Sequence, residues 1–177
     1  MIKVFTGPMF SGKSTALINE YTNIWNKELV KCFKPSKDNR DYSVLYSRNI
    51  KDKIPAKCIK SLDEIPSLID SNTRTIFIDE IQFLTGDVRI LIDLSIMNDI
   101  DIYVAGLNMT SEQKPFGIMP QVLAIADEVQ ECKAVCYDCN RPASYTYSIK
   151  PKSDDILVGS SEYIPLCRKC LSLRLRK

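Results

Sequence analysis

The sequence predicts an α/β protein: a mainly parallel sheet covered by helices on both faces, followed by a small separate lobe. Three observations carry this. Short apolar runs alternate with segments of helical spacing as far as about residue 135, and alternating strands and helices build parallel sheets with both faces buried. The first apolar run leads into a glycine-rich turn, Gly7-Pro-Met-Phe-Ser-Gly12-Lys13-Ser14. The alternation stops near Cys136, where the first of two Cys-x-x-Cys pairs begins.

Taken in order, residues 1 to 6 read as a buried strand. Residues 13 to 29 have helical spacing, with Leu17, Tyr21, Ile24 and Trp25 on one face. Val30 to Phe33 is a second strand, stopped by Pro35. Residues 36 to 56 are polar, of mixed charge and aperiodic, and read as a mobile, lid-like loop. Ala56 to Ile59 is a short strand. Ser61-Leu-Asp-Glu64 has the capping-box pattern and predicts a helix to about Ile69. Arg74 to Asp79 is a strongly apolar strand, Gly86 to Met97 a helix, Ile102 to Ala105 a strand and Pro120 to Ala126 a short helix. Val129 to Val135 reads as the last core strand. The division expected is 1–135 for the core and 136–177 for the small lobe and tail.

A chain of 177 residues suits one domain with a small appendage. Apolar residues make up 45% and charged residues 26%, enough for a core and a soluble surface. The net charge of +2 gives no push toward nucleic acid or membrane. No apolar run approaches bilayer length, and the first residues lack the charge-then-apolar pattern of a secretory signal, so a cytoplasmic setting is expected.

The turn at residues 7 to 14 matches G-x-x-x-x-G-K-[ST] with a strand before it and a helix after it. Its glycines let backbone N–H groups turn inward around phosphate oxygens, and the helix adds its positive end. Gly7, Pro8, Met9, Phe10, Ser11, Gly12, Lys13, Ser14 and Thr15 are therefore the candidate ATP-binding residues. Lys13 should reach the β- and γ-phosphates and Ser14 the accompanying Mg²⁺. The strand Thr75-Ile-Phe-Ile ends in Asp79 and Glu80. Strand ends of a parallel sheet face the ligand. Asp79 suits the Mg²⁺ shell, and Glu80 suits acceptance of a hydroxyl proton. The two are adjacent, and reversed roles remain open.

Cys136/Cys139 and Cys167/Cys170 form two Cys-x-x-Cys pairs with residues 140 to 166 between them. Two such pairs favour a closed Cys₄ site, which suits structural Zn²⁺ more than an iron–sulfur cluster. Cys32, Cys58 and Cys132 stand alone in apolar runs and read as small core residues. The chain has no histidine, so no imidazole is available as ligand or base.

Gly-Pro-Met-Phe-Ser-Gly-Lys-Ser-Thr, Asp79-Glu80-x-Gln82-Phe83, Lys114-Pro-Phe116, Ala134-Val-Cys-x-x-Cys139 and Cys167-Arg-x-Cys170 occur in this order along the chain. In this combination and spacing the sequence resembles the zinc-containing type II thymidine kinases, the cellular and poxvirus-type enzymes. The resemblance covers nearly the whole chain. It implies a RecA-like P-loop core with a zinc-ribbon-like lasso lobe, thymidine and ATP as substrates, Mg²⁺ with the ATP, one structural Zn²⁺ and a homotetramer. Within Asp38-x-Arg40 it implies that Arg40 steadies the phosphates and Asp38 supports Mg²⁺. Lys13, Arg40 and Glu80 become the catalytic candidates. The resemblance places Met9, Phe83, Leu107 and Phe116 around the thymine, has Thr146 hydrogen-bonding the base, and brings Tyr163 to the nucleoside. The chain departs from the family at Asn108, where Asp is frequent, at Ser111 and Glu112, and in a shorter lasso between Val158 and Tyr163.

Other readings are a kinase for another nucleoside such as deoxycytidine, a nucleic-acid-dependent ATPase, and an inactive homologue. Dispersed basic residues disfavour the second, and Arg168 to Lys177 reads as a solvated end. The presence of Lys13, Ser14, Asp79 and Glu80 disfavours the third.

Overall fold

The computed structural model describes residues 1–36, 44–47, 50–150 and 162–176. Arg40 and Asp38 lie outside the described residues. A six-stranded sheet forms the core. Its strands are β1 (Ile2–Thr6), β2 (Val30–Pro35), β5 (Lys57–Ile59), β6 (Thr75–Ile78), β7 (Asp101–Gly106) and β8 (Glu128–Glu131). Between β2 and β5 lie β3 (Val44–Ser47) and β4 (Ile50–Pro55). The sheet order is β5-β2-β6-β7-β1-β8, and every pairing is parallel. The α/β class with a mainly parallel sheet is therefore correct.

Alternating side chains bury both faces, as period-two strands require. Val4, Ile76, Ile78, Ile102 and Val104 face one core, with Leu91 and Leu94 of α2 (Arg89–Met97) and Met119 and Val122 of α3 (Met119–Ala124). Phe5, Phe77 and Ala105 face the other, with Leu17 and Ile18 of α1 (Lys13–Asn23). Phe77 stacks on Tyr103 at 4.9 Å and meets Tyr21 edge-on at 5.6 Å. Among the described residues, no helix is long and apolar enough to cross a membrane.

Several local expectations change. The segment 36 to 56 is not loop throughout: β3 and β4 pair antiparallel, with Leu45 opposite Ile54. Both side chains are buried against the α1 core, so two apolar residues in a polar stretch suffice to dock a hairpin. α1 ends at Asn23, because Ile24 adopts an extended backbone. Trp25 therefore falls beyond the helix and is 97% exposed rather than on its buried face. β2 runs through Pro35, which sits opposite Ile59. Ser61 does form a capping box with Glu64, but the turn it opens, Leu62–Ser67, is a 3₁₀ helix containing Pro66.

The stretch Val129 to Val135 is not one core strand. β8 is an exposed edge strand, whereas β9 (Ala134–Val135) pairs with β10 (Pro142–Ala143) in the small lobe. There β11 (Tyr145–Ser148) pairs antiparallel with β12 (Tyr163–Leu166). The expected solvated end is instead helix α4 (Arg168–Leu175). Its Leu171 is buried with Ala134, Ala143 and Leu166, and Arg174 makes a bidentate pair with Asp138 at 2.6 and 2.9 Å.

Candidate active site

The glycine-rich turn lies at the carboxyl end of β1. Gly7, Phe10 and Gly12 have φ values of 142°, 65° and 82°. A Cβ on Gly7 would lie 2.1 Å from the Cys132 carbonyl oxygen, so no other residue fits there. Gly12 precedes α1 and no side chain caps that helix. A helix beginning after glycine presents its positive end to the turn, as at an anion-binding helix end. Lys13 is buried, and its Nζ donates to the Pro8 carbonyl at 2.7 Å, turned across the loop.

Asp79 follows β6, and its amide donates to the Phe33 carbonyl. β7 stands between β6 and β1, yet α1 carries Ser14 back to the acidic strand end. The Ser14 hydroxyl lies 3.2 Å from Asp79 Oδ1, and the Glu80 amide donates to the same oxygen at 2.9 Å. Burial, and then the charge of Glu80, push the Asp79 carboxyl up to about 7 against the opposing pull of Ser14 and Lys13. Glu80 has φ 52°, a left-handed conformation uncommon outside glycine, which turns the chain sharply off the strand.

Gln82, to which the sequence assigned no role, is 3% exposed. Its Nε2 donates to Glu80 Oε2 at 2.6 Å, and its Oε1 accepts from the Leu107 amide at 3.0 Å. The only sequence signal was its place in the Asp-Glu-x-Gln-Phe run. Nearby, Phe83 and Phe116 meet edge-to-face at 5.2 Å. Leu107 follows β7, and the Phe116 amide donates to the Asn108 carbonyl, closing the loop between them. Ser111 and Glu112 lie in that loop, where Glu112 pairs with Lys114 at 2.9 Å.

Thr146 lies in β11 and is buried. Its Oγ1 accepts from the Met9 amide at 2.9 Å, tying the small lobe to the glycine-rich turn. Tyr163, at the start of β12, lies opposite Ser148 and is half-buried. Met9, Thr146, Lys13, Ser14, Asp79, Glu80, Phe83, Leu107 and Phe116 are thus linked through the carboxyl edge of the sheet, whereas Arg40 and Asp38 fall outside the described residues.

The Sγ atoms of Cys136, Cys139, Cys167 and Cys170 all lie within 4.8 Å of one another. Tetrahedral thiolate ligation of zinc at 2.3 Å places sulfurs about 3.8 Å apart; Cys139 and Cys167 are 3.6 Å apart. The set therefore fits a metal ion. The Cys167 amide donates to Cys136 Sγ at 3.2 Å, and Arg141 Nε donates to Cys139 Sγ at 3.4 Å. The Arg141 hydrogen bond draws the Cys139 thiol down to about 6. Of the lone cysteines, Cys32 is buried while Cys58 and Cys132 are half-buried.

The family model for thymidine kinase matches residues 1–171. The chain belongs to the thymidine kinase family. It is also similar to a thymidine kinase of Mycoplasma mobile, 37% identical over 177 aligned positions that cover 96% of this chain and 86% of the relative. This thymidine kinase family member is a kinase, and its reaction is the phosphorylation of thymidine.

Proposed function

We propose that the chain transfers the γ-phosphoryl group of Mg²⁺-bound ATP to the thymidine 5′-hydroxyl, with the sheet edge as the reaction centre. The observation that carries this reading is the meeting of Ser14 and Asp79 at 3.2 Å beside Glu80. A hydroxyl and a carboxylate at that spacing suit the oxygen shell of the divalent cation that accompanies ATP and offsets phosphate charge. Residues 7 to 15 cradle the phosphates. Lys13 exchanges the Pro8 carbonyl for phosphate oxygens, and Arg40 adds a second cation, with Asp38 supporting the Mg²⁺ shell. Glu80 orients the 5′-hydroxyl and takes its proton as the O–P bond forms and the bond to the ADP leaving group breaks. With a loose transition state, positioning and charge neutralisation supply most of the catalysis.

Met9, Phe83, Leu107 and Phe116 wall the thymine, Thr146 faces the base and Tyr163 the nucleoside. The Cys₄ cluster holds one structural Zn²⁺, whose closed thiolate shell staples the lobe and leaves no position for substrate. The expected boundary, 1–135 for the ATP-binding core and 136–177 for the zinc-binding lobe and tail, shifts back by two residues, because Ala134–Val135 pairs with Pro142–Ala143 in the lobe. The family resemblance supports a homotetramer working in the cytoplasm, independent of nucleic acid; light scattering with and without substrates tests the assembly. The decisive experiment is Glu80→Gln in a kinase assay across the natural nucleosides. It should lower kcat by about 10² to 10⁴ with KM for ATP and thymidine nearly unchanged. Near-full kcat under single-turnover conditions would remove Glu80 as the base.

A further inference from the structure

The orientation of the Gln82 amide is fixed by its surroundings. The Leu107 peptide N–H can only donate, so the Gln82 atom 3.0 Å from it must be the carbonyl oxygen. The Nε2 group is thereby forced to face Glu80 Oε2, 2.6 Å away, where it can only donate. The side chain has little room to do otherwise. A Cβ on Gly106 would lie 2.8 Å from Gln82 Oε1, so β7 packs on the amide itself, and a Cβ on Gly117 would lie 2.0 Å from the Gln82 main-chain carbonyl oxygen, so that segment packs on its backbone. Gly106 ends β7 just before Leu107, and Gly117 follows Phe116. Three segments, those of Glu80, Leu107 and Phe116, therefore close directly on this one buried residue.

From this geometry we propose that Gln82 is the positioning residue of the reaction. Its amide holds the Glu80 carboxylate through Oε2 and ties it to the Leu107 segment, while the Phe116 segment packs on its backbone. The proposal rests on the reading of Glu80 as proton acceptor and of Leu107 and Phe116 as nucleoside walls. Glu80 has a left-handed backbone that directs the chain away from the strand. That turn brings the amide of the residue two further on against its carboxylate. The same amide holds the first peptide after β7, so a nucleoside seated against Leu107 finds the base already aimed.

A double-mutant cycle tests this. Gln82→Met keeps length and removes both hydrogen bonds. Single-turnover kcat should fall by about 10- to 100-fold, the worth of one hydrogen bond to a charged group, with KM for ATP unchanged. In a Glu80→Gln background the same substitution should add about threefold or less, because a residue acting through Glu80 has nothing left to position. Multiplicative losses in the two backgrounds would overturn the proposal and leave Gln82 a structural residue. Unchanged kcat in Gln82→Met would overturn it too. If Glu80→Gln alone kept near-full kcat, the proton-acceptor reading itself would fail, a result distinct from either of these. Gln82→Leu serves should the Met variant not fold. It also removes both hydrogen bonds without setting a new charge beside Glu80, and the cycle is read in the same way.

Discussion

Replacing Thr146 with Val should weaken ATP binding even before thymidine is present. The two side chains have nearly the same shape, so the change removes one hydroxyl from a buried position. That hydroxyl accepts from the Met9 amide at 2.9 Å. Leaving a buried amide unpaired costs about 1–3 kcal/mol. Met9 lies in a loop, so its peptide can turn outward to find water, at the expense of the loop's shape. ATP must then restore that shape, and the cost reappears as lost affinity of about 1–2 kcal/mol, or roughly 5- to 30-fold. Calorimetry with a non-hydrolysable ATP analogue, without nucleoside, isolates this effect from any contact between Thr146 and the base. Thr146→Ser keeps the acceptor and should bind the analogue within about twofold of wild type. If Thr146→Val bound the analogue as tightly as wild type while remaining folded, the small lobe would have no hold on the phosphate loop.

Cys136→Ser should abolish stoichiometric zinc in atomic emission analysis and loosen the small lobe in limited proteolysis. Because Thr146 links that lobe to Met9, it should weaken ATP-analogue binding as well as nucleoside binding. Asp79→Asn should change how stability depends on pH. The Asp79 carboxyl is raised from 3.8 to about 7, so the folded chain holds a proton that the unfolded chain has lost. Substrate-free wild-type stability should therefore fall relative to Asp79→Asn as pH rises from about 4 to 7, then level off. Urea titrations at pH 5 and pH 8 measure the difference, and parallel curves would contradict it. With substrate, the same variant should raise the Mg²⁺ requirement.

Much of the core was legible because parallel strands buried on both faces advertise themselves as short apolar runs, as at Ile76 to Ile78. The glycine-rich turn and the paired cysteines were legible because chemistry fixes their spacing. What escaped had other causes. Leu45 and Ile54 dock a hairpin, but two apolar positions in a charged stretch give no period. Trp25 continues the helical spacing of α1, although the backbone has already left the helix at Ile24. The run from Val129 to Val135 looks continuous in hydropathy, yet its two ends pair with different sheets. Gln82 and Thr146 reach distant backbone amides, at Leu107 and Met9. Such contacts depend on which loops the fold brings together, and no local pattern encodes them.

The position of β7 between β1 and β6 sets a length. Neighbouring strands stand about 4.8 Å apart, so the ends that carry the glycine-rich turn and the acidic pair are separated by roughly 10 Å. The intervening strand ends in Gly106, where a methyl group would collide with Met119 and Gln82. Those two side chains pack directly on the strand end, and the spacing of the flanking strands is set by backbone hydrogen bonds. Side-chain substitutions at either strand end can retune charge or fit, but none changes the spacing of the strands themselves. The spacing between the glycine-rich turn and the acidic pair is built into the strand order itself.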